Sequence, residues 1–186
     1  MMHPKRQTVP RIHIVGRKNA GKTTLVCDLV KELTRMGYRV ATIKHTHHNH
    51  ELDTPGKDSH QHRESGATGV GILSPQITAA FVPVQRNDDE AKRYDSFQVL
   101  FADSDLILVE GDLQTTATRI EVWRETVPEP PYATTDKGIA VVVSDNDAHV
   151  SCLRWPRKDI GVIANNVADL AGIAVAQTRS GAGMGE

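Results

Sequence analysis

Three observations predict an α/β fold with a mostly parallel central sheet and helices on both faces. Residues 11–43 read as strand, loop, helix and strand, a crossover unit whose two strands run parallel with right-handed connection. A later apolar run, Leu106-Ile107-Leu108-Val109, ends in Glu110-Gly111, as a strand covered on both faces does. Between the first strand and the first helix stands Gly16-Arg17-Lys18-Asn19-Ala20-Gly21-Lys22-Thr23, which fits G-x-x-x-x-G-K-[ST] in the strand-to-helix context that the pattern requires. Together they predict a P-loop NTPase-like sheet.

The elements follow in chain order. Ile12, Ile14 and Val15 give residues 11–15 the apolar content of a short buried strand. In the next helix Leu25, Val26, Leu29, Val30 and Leu33 recur at helical spacing, and Gly37 closes it. Residues 39–43 form the second strand, and the polar stretch 44–59 lies at its carboxyl end, where open parallel sheets bind ligands. A helix is predicted over 59–66 with Asp58 or Ser59 as its cap, then neighbouring strands in 69–74 and 77–82, with Ser74-Pro75-Gln76 as a hairpin-type turn. Residues 87–92 are a charged connection. Tyr94, Phe97 and Phe101 then share one face of a helix, a pattern that favours core over a ligand platform. After the apolar strand at 106–111, residues 119–124 alternate as a half-exposed strand does, 128–131 form a loop, and 139–143 form another buried strand. Residues 160–163 are expected to be a last strand before a short helix over 167–170. Residues 1–10 are read as a flexible lead-in, 11–176 as a single nucleotide-binding domain and 177–186 as a disordered tail.

The 186 residues, 39% hydrophobic and 24% charged, have the composition of a globular protein. No apolar run approaches the roughly 18 residues of a membrane span, and the first residues lack a signal-type apolar segment, so a cytoplasmic location without membrane partners is expected. The net charge of -1 argues against nucleic acid as an electrostatic partner. Cys27 and Cys152 have neither metal nor redox spacing and read as buried small hydrophobes.

The chemistry implied is phosphate binding. Backbone N–H groups of the glycine-rich loop converge on phosphate oxygens, Lys22 reaches the outer phosphates, and the Thr23 hydroxyl ligates Mg²⁺. Glu110, at the carboxyl end of an apolar strand, stands where such proteins place the acid that orients the metal's water shell. Asp53 and Asp58 in the polar loop compete for or share that role, or serve as turn and cap residues. Six histidines, His45, His47, His48, His50, His60 and His62, fall within residues 45–62. They invite a transition-metal hypothesis, but no cysteine accompanies them, and Lys44, Lys57 and Arg63 suit an anionic ligand better than a cation. The Asn-Lys-x-Asp signature of guanine recognition is absent. Asp145, after the strand ending at Val143, either accepts hydrogen bonds from guanine N1 and N2 or caps the next turn.

The phosphate loop together with Lys44-His45-Thr46-His47-His48, Asp53-Thr54-Pro55-Gly56-Lys57-Asp58-Ser59, His62-Arg63-Glu64-Ser65-Gly66-Ala67 and the strand ending in Glu110-Gly111 closely resembles the MobB family, molybdopterin-guanine dinucleotide biosynthesis protein B. The likeness is strong over residues 11–111. Arg119-Ile120-Glu121-Val122 and Ser144-Asp145 resemble the family's weaker later motifs. The resemblance implies a homodimeric, GTP-binding accessory protein with weak GTPase activity in molybdenum cofactor maturation. Its partner would be the guanylyltransferase that moves GMP from GTP to molybdopterin, with molybdopterin itself as a further candidate ligand. Carried onto this chain, it implies nucleotide contacts from Asn19, Ala20, Gly21, Lys22, Thr23 and Thr24, joined by Asp145 in the reading above. Glu110 matches the family's Walker B acid, and Asp53 an acid in the loop facing the phosphates. Lys22, Asp53 and Glu110 are thus the candidate catalytic residues, and Thr23, Glu110 and Asp53 the candidate Mg²⁺ ligands. The family's usual Gly-Phe-Lys is here Gly111-Asp112-Leu113, which puts a substrate or partner contact there in doubt and leaves the phosphate site untouched. Two alternatives stand beside this reading, a nickel or zinc metallochaperone using the His-rich loop and a small-molecule kinase.

Overall fold

Strand β1 (Arg11–Val15) buries four of its five residues and is paired along both edges, so the rest of the sheet is built outward from it. The computed structural model describes residues 8–46, 51–83 and 90–173. Expectations for His47, His48 and His50, for the tail and for most of the lead-in lie outside those residues. In chain order the elements are β1, α1 (Lys22–Arg35), β2 (Val40–Lys44), α2 (Asp58–Glu64), β3 (Val70–Leu73), β4 (Thr78–Phe81), α3 (Glu90–Leu100), β5 (Leu106–Glu110), β6 (Thr118–Val122), a 3-10 turn (Tyr132–Thr134), β7 (Ile139–Val143), β8 (Leu153–Trp155) and α4 (Ile160–Ala171).

The chain divides into two compact units, residues 1–46 with 96–186, and residues 47–95. The first holds a six-stranded sheet in the order β2-β5-β1-β6-β7-β8, parallel at every pairing. Leu25, Val26, Leu29 and Leu33 of α1 and Ile163, Ala164, Val167 and Ala168 of α4 pack on Ile12, Ile14, Leu106, Leu108, Ile120 and Val122. The two helices therefore cover one face. The step from β1 to β2 and the step back to β5 run in opposite directions across the sheet. A second apolar cluster, Val15, Ala133, Ile139, Val142 and Ala148, is joined by Leu113, Trp123 and Tyr132. Order begins before β1: Val9 is buried, its N–H donates to Gln98 Oε1 at 2.8 Å, and Gln98 Nε2 donates to its carbonyl at 2.9 Å.

The second unit contains α2 and the antiparallel pair β3-β4, registered Val70 to Phe81 and Leu73 to Thr78. The Ser74 hydroxyl accepts from Ile77 N and donates to Ile77 O, which closes the expected hairpin turn. Tyr94 is buried, in line with the core reading of the aromatic face, and Phe97 stacks on Phe101 with ring centroids 5.6 Å apart.

Four expectations are corrected. The segment 119–124 is not half exposed: β6 lies between β1 and β7, and Ile120, Glu121 and Val122 have no exposed surface. Its alternating polar groups are satisfied internally, Arg119 by both carboxylate oxygens of Asp136 and Glu121 by the N–H groups of Tyr132 and Ala133. Residues 160–163 are helical, because Asp159 accepts from Val162 N at 3.1 Å and caps α4. Helix α2 starts at Asp58 with Lys57 as its N-cap, and no side chain caps it. Cys27 is exposed on α1, so only Cys152 is even partly covered.

Candidate functional site

Three residues of the loop between β1 and α1 adopt the left-handed region, Gly16 at φ 142°, Asn19 at 62° and Gly21 at 97°. At Gly16 the reason is also spatial, since a Cβ there would collide with the main-chain carbonyl of Val122. Helix α1 then begins at Lys22 behind Gly21, which offers no side-chain cap, so its first N–H groups face the loop concavity uncapped. Ala20 is fully buried, while Asn19, Thr23 and Thr24 are exposed.

The side chains of the site are brought together by sheet register. Ile14 pairs with Glu110 across β1 and β5, and Lys44 pairs with Glu110 across β2 and β5, so the acid emerges beside the phosphate loop. The Thr23 hydroxyl donates to Glu110 Oε1 at 2.8 Å, and Lys44 Nζ lies 3.9 Å from the same oxygen. Lys22 Nζ donates to the carbonyls of Gly16 at 2.9 Å and Arg17 at 2.8 Å. Burial pushes the Lys22 ammonium below its ordinary value, Glu110 opposes that shift, and Lys44 adds to it. Behind Glu110, Gly111 at φ 101° lets the chain pass within 3.0 Å, measured from a would-be Cβ, of the His45 carbonyl. Asp112 and Leu113, which stand where the resemblance leads one to expect an aromatic and a lysine, turn inward. Asp112 is buried with Oδ2 3.8 Å from His13 Nδ1, and Leu113 packs on the second apolar cluster.

Asp145 is exposed at the end of β7, and its Oδ1 accepts from the backbone N–H of Arg157 at 2.8 Å and Lys158 at 3.2 Å. It does not cap the turn directly after β7, where the Ser144 hydroxyl accepts from Asn146 N at 3.0 Å; its bonds reach the chain after β8 and engage one oxygen. Two arginines absent from the motif reading complete the surroundings. Arg124 Nε donates to Ala20 O at 3.0 Å, and the Arg157 guanidinium lies 3.4 Å from Gly21 O. Burial lowers the Arg157 pKa, and neighbouring Arg124 lowers it further. Nothing in the motif marks them, because they come from the ends of β6 and β8 and meet the loop only through strand order.

Asp53 belongs to the second unit. It is 9% exposed, and its Oδ1 accepts from Thr54 N at 2.8 Å and Ser59 Oγ at 2.9 Å. Its Oδ2 is buried with no hydrogen-bond partner among the described residues. Glu51 ties the neighbourhood by accepting from Asp53 N at 2.9 Å and from Arg63 Nη2 at 2.7 Å, with His60 Nε2 at 3.8 Å. Hydrogen bonding to Arg63 holds the Glu51 carboxyl below its ordinary value. Among the described residues no three His, Cys, Asp or Glu side chains gather as a metal cluster.

A parallel sheet with a glycine-rich phosphate loop, its lysine and an acid on the adjacent strand define a P-loop α/β protein. Residues 11–145 match the family described as molybdopterin guanine dinucleotide synthesis protein B, and the chain belongs to that family, MobB. The Escherichia coli (strain K12) molybdopterin-guanine dinucleotide biosynthesis adapter protein is 28% identical over 87% of this chain and 93% of its own. The adapter protein of Haemophilus influenzae is 33% identical over 66% of this chain and 67% of its own. A crystal structure titled molybdopterin-guanine biosynthesis protein B superposes with a TM-score of 0.67 at 27% identity, covering 87% of this chain and 99% of that one. The Bacillus subtilis MobB structure, at 19% identity and TM-score 0.64 over 87% and 98%, shares the fold.

Proposed function

We propose that this protein binds GTP with Mg²⁺, hydrolyses it slowly and assists the enzyme that transfers GMP to molybdopterin. A role in molybdenum cofactor maturation follows from its family. The observation that carries the nucleotide reading is the contact set of Lys22, Thr23 and Glu110 at the mouth of the loop. Thr23 and Glu110 present two hard oxygen donors 2.8 Å apart, which suits Mg²⁺, and they would hold it, with Asp53 as a third candidate ligand. When bound, the ion neutralises charge on the phosphate oxygens.

The chain's own groups do the rest. N–H groups of residues 19–24 donate to the phosphates, and Lys22 exchanges its two loop carbonyls for the outer phosphate oxygens. Asp145, through the oxygen that its bonds to Arg157 and Lys158 leave, takes the guanine edge. One of Asp53, Asp58 or Glu110 positions the attacking water, and none is a clear catalytic base, in keeping with slow turnover. The protein would act as a cytoplasmic homodimer, with molybdopterin as a further ligand. Isothermal titration with GTP and Mg²⁺ tests the core of this reading: Lys22→Ala should abolish tight binding, and an unchanged affinity removes it. Capture of the purified GMP-transferring enzyme in the presence of GTP tests the partner.

A further inference from the structure

A cavity of about 170 Å³ lies between the outer side of the phosphate loop and the segment after β6. Arg17, Lys18 and Asn19 line one wall and residues 126–129 the other, and none of Gly21, Lys22 or Thr23 takes part. It therefore opens on the other side of the loop from the concavity that Lys22 serves, and shares Asn19 with it. Both walls are anchored. Buried Glu121 accepts from the N–H groups of Tyr132 at 2.8 Å and Ala133 at 2.9 Å, which fixes the turn carrying Tyr132. The Tyr132 ring then holds the Arg17 guanidinium 3.9 Å from its centroid. Across the cavity, Trp123 Nε1 donates to the Glu129 carbonyl at 3.0 Å, and buried Val127 donates to Arg124 O at 3.0 Å.

We infer that this cavity is a second anion site, for a small phosphate monoester that carries a hydroxyl. Arg17 is oriented by stacking, and its Nε is buried with no hydrogen-bond partner among the described residues. A guanidinium held in place by a ring face keeps its remaining N–H fork in a fixed plane, which suits a planar or tetrahedral oxyanion. Lys18 adds a second cation, and Glu129, Asn19 and Thr126 offer acceptors for a hydroxyl of the ester. The volume is below the roughly 300 Å³ of pockets that take drug-sized ligands, which matches a short phosphorylated molecule. Because Arg17, Lys18 and Asn19 also shape the phosphate loop, a second ligand there stands against the nucleotide's own loop.

The site goes beyond the proposed function and is tested apart from it. Glycerol 3-phosphate is titrated calorimetrically into the protein saturated with GDP and Mg²⁺, and one equivalent is expected to bind. Arg17→Gln should weaken that binding at least tenfold. Lys22→Ala, titrated without nucleotide, should still bind the probe within about twofold of the GDP-saturated wild type, since its side chain faces the other concavity. Glu129→Gln is an exposed change that removes one negative charge, so it should tighten inorganic phosphate a few-fold. Absence of binding at millimolar probe, indifference to Arg17→Gln, loss in Lys22→Ala, or weaker phosphate binding in Glu129→Gln each overturns the inference.

Discussion

His13 has no exposed surface, and its Nδ1 lies 3.3 Å from the Gly111 carbonyl and 3.8 Å from Asp112 Oδ2. Burial lowers its pKa to about 4, against the opposing pull of Asp112 and that carbonyl. The unfolded chain protonates the same imidazole near 6.5. Between those two pH values the unfolded state binds the extra proton, so stability is full above about 6.5 and falls as pH drops toward 4. The effect is on the order of 3 kcal/mol across the window. Urea unfolding at pH 7.5, 6 and 5 should show that decline, and His13→Gln should flatten it. Asp112, in the place where an aromatic was expected, is thus turned toward a buried imidazole beneath the site.

Among the elements, α4 gives the plainest test of why a stretch folds as it does. Ile160-Gly161-Val162-Ile163 is β-branched and reads as strand, yet Asp159 captures Val162 N, and Ile163, Ala164, Val167 and Ala168 then fall on one buried stripe. Asp159→Ala should cost about 1 kcal/mol in chemical denaturation without changing the nucleotide affinity. The same contrast explains what was legible in the chain. The unit from β1 to β2 was readable because motif, apolar period and Gly37 agree, and Glu110 was readable because its strand is uniformly apolar. Strand β6 was misread as half exposed because its Arg119 and Glu121 find partners, Asp136 and the turn at Tyr132, that lie 17 and 11 residues further on. Short β8 carries no strand signal beyond Leu153 and Trp155, and its pairing with β7 is set by the sheet. Arg124 and Arg157 escaped notice for a related reason: their contacts with Ala20 and Gly21 span 104 and 136 residues.

At the scale of the molecule, the phosphate loop is tied to both sides of the sheet. Glu110 reaches Thr23 from β5, and Arg124 and Arg157 reach Ala20 and Gly21 from the ends of β6 and β8. A ligand that binds this arrangement and not the unfolded chain stabilises it by about 2.7 kcal/mol at a concentration one hundred times its dissociation constant. For a chain of this length that corresponds to a rise of roughly 5–10 °C in melting temperature. Differential scanning calorimetry with GTP and Mg²⁺ should show it, and Lys22→Ala should not. The resting position of Lys22 bears on which ligands can enter at all. Its ammonium is clasped by two carbonyls of its own loop, so an incoming anion competes with an intramolecular embrace before any base is read. An anion that draws the ammonium away must supply an oxygen for each carbonyl given up, as phosphate groups can. The loop is in this sense a tollgate whose toll is set by the protein's own backbone.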